Sequence, residues 1–199
     1  MPIPRADGPT PDPVMIRLAE GDETVVALLL DRHWAAVVGY ASGILGSSDL
    51  AQDVAQEAFV RLWDRRASWT AGHGPRPILF RIARNLALDL GRADRNLTPW
   101  APDFAPPDPA PLAPDRLEAD ELAAAIDGAL ARLNDREREV VVLSRIHGLS
   151  RSEIATVTGL RPGSVSNLLS VGMLRLARSL APYLGTAGPA PAPRRLRRA

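Results

Sequence analysis

Residues 151–170 read RSEIATVTGLRPGSVSNLLS, and the order of small, turning and apolar residues along this stretch decides the fold. Ala155 is small where two helices must approach, and Gly159, four residues on, accepts the positive φ of a tight turn. Val165, six further on, packs back between the helices, with Ile154, Leu160 and Leu168 as the remaining core positions. This spacing is that of a helix-turn-helix, whose second helix, from Pro162, would enter a DNA major groove. A plain helical hairpin shares the capping and the glycine, so the flanking sequence has to separate the two readings.

Toward the N-terminus, Ser150 with Glu153, Asn134 with Glu137 and Asp115 with Glu118 are three boxes of the kind that open helices. They predict a short helix before Gly159, one running to Gly148, and one buried along Leu122, Ile126, Leu130 and Leu133. The last helix spans Pro162 to about Leu180, which gives a domain over 115–184 and leaves 185–199 as a disordered basic tail. Further back, seven prolines fall between Pro99 and Pro114, incompatible with a helix interior or a central strand. The segment 97–114 therefore reads as a stiff linker that, extended, could separate its neighbours by roughly 55 Å.

The region before the linker, 14–96, is also helical, behind a Pro-rich disordered lead-in at 1–13. A short helix runs from Pro13 or Val14 to Glu20 and is stopped by Gly21. Val26, Leu30, Trp34, Val37, Ala41 and Ile44 form one stripe of the next, which ends near Gly46. Asp49 followed by Gln52 resembles a capping box opening a helix to about Arg66. After a loop at Ser68 to Arg76, Pro77 suits the first turn of a helix with core face Leu79, Ile82, Ala83, Leu86 and Leu90, stopped by Gly91. No stretch reads as a strand, so the expected fold is all-α, two small helical domains on a Pro-rich linker.

Composition narrows the chemistry. The 199 residues suffice for two small cores, and the absence of cysteine removes disulfides, thiolate metal sites and cysteine nucleophiles together. Every one of the 24 basic residues is arginine, so chemistry that needs a lysine amine is excluded. His33, His73 and His147 are dispersed without metal-ligand spacing, and no glycine loop suits a phosphate, so no cofactor, metal or enzyme activity is expected. Residues 1–96 carry 11 Arg against 12 acidic residues and 115–185 carry nine of each, so nucleic acid cannot be held by bulk charge and must meet local faces. The longest apolar run, Val25–Leu30, is far short of the roughly 20 residues that span a bilayer, and the start lacks an export signal, which reads as cytoplasmic.

Two such faces stand out. Arg81, Arg84, Asn85, Asp89, Arg92 and Arg95 recur at three- and four-residue steps on the side of their helix away from its core face, beside a Gly/Pro loop carrying Trp69 and His73. Aromatic and basic groups so placed could stack on or cradle unpaired bases, and a merely solvated charged face is the alternative. In DVAQEAFVRLW, residues 53–63, Asp53, Gln56 and Glu57 make an acidic face able to dock on a basic partner, again with a solvated face as the alternative.

These segments bring the chain to a known family. Residues 15–95, through DVAQEAFVRLW and ILFRIARNLALDLGRADR (78–95), resemble region 2 of the extracytoplasmic-function sigma factors of bacterial RNA polymerase, in the sigma-70 superfamily. Residues 126–184, through LNDREREVVVLSRIHGLSRSEIATVTGL (133–160), resemble region 4. The resemblance implies core RNA polymerase and promoter DNA as partners and admits an anti-sigma factor. It implies that Asp53, Gln56 and Glu57 bind the clamp coiled coil of the largest polymerase subunit. It further implies that Trp69, His73, Arg76, Arg81, Arg84, Asn85 and Asp89 handle the single-stranded minus-10 element, with a flipped base near Asn85. The minus-35 duplex would fall to Arg161, Ser164, Ser166, Asn167 and Arg175. Family recognition helices carry basic residues where Ser166, Leu168, Val171 and Met173 stand here. That leaves two rival readings: a sigma-like module whose Val171, Met173 and Leu174 dock a protein such as an anti-sigma factor, and an ordinary helix-turn-helix regulator.

Overall fold

The computed structural model describes residues 12–69, 74–93 and 116–183. The expected lead-in up to residue 11, His73, Arg95, the linker 97–114, Asp115 and the tail 185–199 lie outside the described residues. The elements run α1 (Pro13–Ala19), α2 (Glu23–Leu45), α3 (Ser48–Asp64), a 3-10 turn (Arg66–Ser68), α4 (Pro75–Ala93), α5 (Arg116–Ala131), α6 (Asp135–Arg145), α7 (Arg151–Thr158) and α8 (Pro162–Leu180). No strand occurs among the described residues.

Helices α2, α3 and α4 pack on one another, with α1 laid against α2 and the 3-10 turn. Ala41, Ala51, Ala55, Ala58, Ala83 and Ala87 are fully buried, and these small side chains let the three helix backbones approach closely. Tyr40, Leu45, Leu62, Leu79 and Phe80 fill the remaining space. Capping sets the boundaries. The side chains of Asp12 and Asp22 accept from the amides of Val14 and Thr24 at the starts of α1 and α2. Gly46, at φ 65°, closes α2 in the left-handed conformation.

Several local expectations need correction. The cap of α3 is Ser47, whose hydroxyl accepts from the Leu50 amide, and Asp49 only occupies the first turn. Helix α4 begins at Pro75, not Pro77, and runs through Gly91 to Ala93, because nothing crowds Gly91 and glycine only weakens a helix interior. On α2 the buried stripe begins at Val25 and Leu29, while Val26, Leu30 and Trp34 are half-buried. At the end of α4, Leu90 is exposed.

In the second group, α5, α6 and α7 all pack on α8. The Ser150–Glu153 box is complete, Asn134 accepts from the Glu137 amide, and Gly159 turns at φ 73°. Helix α8 starts at Pro162 and ends at Leu180, as the sequence predicts. Helix α6 stops at Arg145 rather than Gly148. Leu122 and Ile126 of α5 are exposed, so that helix is buried only toward its end, at Ala129, Leu130 and the following Leu133. Its C-terminal carbonyls are satisfied by Arg138, which is 8% exposed and donates to the carbonyls of Leu130, Ala131 and Leu133 at 2.8–2.9 Å. A Cβ added to Gly172 would lie 2.8 Å from the Val141 methyl, so α8 crosses α6 where only glycine fits.

Instead of standing apart on their linker, the two groups share one continuous core. Helix α7 lies on α4, and the buried run Val140–Leu143 of α6 has neighbours on both sides.

Candidate nucleic-acid interface

The residues predicted to meet DNA or protein fall on three surfaces. On α3, Asp53, Gln56 and Glu57 are exposed along one ridge, while Val54, Ala55, Ala58 and Phe59 are buried behind it. Glu57 pairs with Arg61 one turn on, at 2.7 Å and half exposed, so the pair is open to exchange for a partner's charge. Val60, also exposed, continues the ridge.

The second surface is α4, where the expected single face divides into two stripes. Arg81, Asn85 and Asp89 follow one another at one-turn intervals on the open side, with Asn85 and Asp89 fully exposed. The Arg81 guanidinium lies 5.6 Å from the centre of the Trp69 ring, and the Trp69 indole N–H is fixed by the Leu62 carbonyl at 3.0 Å. Trp69 thus presents a held aromatic plane beside a cation at the start of the stripe. Asp89 pairs with Arg92 at 2.8 Å in full exposure.

Arg76 and Arg84 belong to the other stripe, together with Phe80, and face the second helical group. Arg84 binds Glu139 of α6 bidentately, Nε to one carboxylate oxygen at 2.6 Å and an Nη to the other at 3.1 Å. The Tyr40 hydroxyl donates to the same carboxylate at 2.7 Å. The His147 ring stands edge-on to Phe80 and Tyr40, with ring centres 5.0 and 5.7 Å apart. Burial, and then the nearby Arg76 guanidinium, lower His147 to about 4, so it is neutral at pH 7. His33 is lowered to about 4 by burial, then by Arg76 and Arg32. It lines a cleft of about 380 Å³ with Arg32, Arg76 and Glu153.

On the third surface, Arg161, Ser164 and Asn167 are exposed at the start of α8, one turn apart and clear of the core. The Ser166 hydroxyl donates to the Pro162 carbonyl of its own helix, and Ser170 likewise to Ser166. Arg175 turns toward α6 and pairs with the buried Glu137 at 2.6 Å. Met173 packs against the core, Val171 is half-buried and Leu174 stands out at 53% exposure.

Tyr40, Glu139 and His147 were not recognisable as members of a site from sequence. Glu139 lies in a charged stretch that reads as a solvated helix face, and its partners are 55 and 99 residues away.

Comparison with known proteins agrees with this arrangement. Residues 29–96 match the family model for sigma-70 region 2, and residues 123–176 that for sigma-70 region 4. The RNA polymerase sigma factor CarQ of Myxococcus xanthus is 31% identical over 75% of this chain and 86% of its own length. The ECF RNA polymerase sigma factor SigL of Mycobacterium tuberculosis is 32% identical over 79% of this chain and 91% of its own. Among solved structures, CnrH in complex with the cytosolic domain of CnrY is similar with a TM-score of 0.60 and 26% identity, covering 85% of this chain and 96% of CnrH.

Proposed function

The chain belongs to the sigma-70 family, as an extracytoplasmic-function sigma factor of RNA polymerase, and from that premise we propose how its three surfaces divide the work. It binds core polymerase and directs promoter recognition and transcription initiation. The α3 ridge of Asp53, Gln56 and Glu57 docks on a basic surface of the polymerase, the clamp coiled coil of the largest subunit. The α4 stripe receives the unpaired minus-10 strand, with Trp69 and Arg81 as the stacking and phosphate-facing end and Asn85 at a flipped base. A carboxamide carries donor and acceptor side by side, which is what a base edge requires. The start of α8 reads the minus-35 duplex through Arg161, Ser164 and Asn167, while Ser166 and Arg175, both engaged within the fold, play a lesser part.

The work done on DNA is strand separation by capture of extruded bases. It proceeds in the cytoplasm beside the polymerase. An anti-sigma protein is the regulatory partner proposed, supported by CnrH having been solved with another protein bound. The alternative of a protein-docking recognition helix is disfavoured because Met173 is already used by the core and only Leu174 is left largely free.

The observation that carries this reading is the open stripe of Arg81, Asn85 and Asp89 beside the tethered Trp69 ring. Asn85→Ala tests it, since alanine favours the helix and removes only the carboxamide. Discrimination at one minus-10 position is expected to fall by about 1–3 kcal/mol, read by in vitro transcription from promoters varied base by base. Unchanged selectivity at every minus-10 position would move base reading elsewhere.

A further inference from the structure

We infer that Glu139 is a built-in occupant of a phosphate site on α4, a carboxylate that holds Arg84 and keeps the minus-10 surface closed until the second helical group swings away. The inference rests on the reading that α4 receives the minus-10 strand, and it adds how that surface is regulated.

Three observations converge on it. The guanidinium of Arg84 is gripped through two of its donors, and this planar fork fits a phosphate as well as it fits a carboxylate. The pair is enclosed, with side-chain exposures of 21% for Arg84 and 11% for Glu139, so nucleic acid and Glu139 cannot hold Arg84 together. The contact is also no isolated surface pair. The Tyr40 hydroxyl supplies a third hydrogen bond to the carboxylate, and the His147 ring closes over Phe80 beside it. A polar centre with an aromatic lid makes the closed state a defined one rather than a loose collapse.

The consequence is competition within one chain. Glu139 is tethered and therefore acts at high effective concentration, so an incoming strand sees only the fraction of molecules that are open. Core polymerase, by holding the two helical groups at separate places, would remove that handicap. The free protein would then bind DNA poorly although its reading surface is fully formed.

The test uses the full chain. Because cysteine is absent, Asp64→Cys and Arg178→Cys, both at exposed positions outside the proposed surfaces, give a unique dye pair for energy transfer between the two groups. Glu139→Gln keeps the size of the side chain and removes its charge; Tyr40→Phe keeps the ring and removes only the hydroxyl donor, which serves should the first variant fold poorly. Both are expected to lower transfer, and to tighten binding of a single-stranded minus-10 oligonucleotide about fivefold or more, read by fluorescence anisotropy. Unchanged transfer in both folded variants overturns the latch whatever the DNA does. Lower transfer with unchanged DNA affinity overturns the competition. The underlying reading fails separately: it falls if Asn85→Ala, placed in the opened Glu139→Gln background, leaves oligonucleotide binding and minus-10 selectivity untouched.

Discussion

Arg138 carries more of the second helical group than its place in a charged run suggests. Its guanidinium is enclosed and meets three main-chain carbonyls at the end of α5, groups that have no helical partner of their own. The ion pair to Asp135, at 3.4 Å on a side chain left 89% exposed, adds little by comparison. Arg138→Met preserves the bulk of the stem and strands those carbonyls out of water, each unmet acceptor costing about 1–3 kcal/mol. Partial access to water should hold the total to about 2–4 kcal/mol. Chemical denaturation of the full chain should show this as an earlier unfolding midpoint. A midpoint unchanged from wild type would mean that the α5 end finds other donors. Gly172 is the complementary case at this scale: there the constraint is space between α6 and α8, not an unmet hydrogen bond.

Among the helices, α3 separates its two jobs by face, which makes its docking role testable without unfolding it. Asp53 and Glu57 are exposed while the opposite side is packed, so reversing both charges leaves the core untouched. Glu57→Arg exchanges an exposed ion pair with Arg61 for a repulsion worth a few tenths of a kcal/mol. The double variant Asp53→Arg, Glu57→Arg is expected to keep its helical circular dichroism and its melting temperature within a few degrees, yet to lose co-purification with core polymerase. Full retention of polymerase binding would assign docking to another surface. The elements themselves were legible because their signals are local. Caps at Asn134 and Ser150, the turn at Gly159 and the start at Pro162 each depend on residues within about four positions. Where two apolar stripes lie side by side, as at Val25–Leu30 of α2, periodicity alone could not choose, and contact with α1 decided for Val25 and Leu29. Arg84 was placed with Asn85 for a similar reason: stepwise spacing finds a helix face but not the 100° that separates neighbours in sequence. What turns that angle into two different environments is α6, brought in from 55 residues away.

Across the molecule, the closed arrangement should respond to acid through His147. Its ring lies against Tyr40 and Phe80 of the other helical group and near Arg76 of α4, and burial first, then that guanidinium, hold it at about 4. Both causes come from docking, so when the groups separate, His147 should return toward its ordinary value of 6.5. Between pH 6.5 and 4 the open form then binds a proton that the closed form refuses. By linkage the closed form is favoured fully above this window and loses ground as pH falls through it. From pH 7.5 to 5 the loss would reach at most about 2 kcal/mol, a shift of up to roughly thirtyfold between closed and open. His33 also sits beside Arg76 and is lowered in the same direction, so it contributes acid sensitivity of the same sign. The two are separated by His147→Phe, which keeps an aromatic ring against Phe80 and removes one titrating group. Energy transfer across the dye pair should fall in the wild type between pH 7.5 and 5, reversibly and before helical circular dichroism is lost, and fall distinctly less in His147→Phe. An equal fall in both proteins would assign the acid response to His33 or to the carboxylates, and would leave His147 as packing alone.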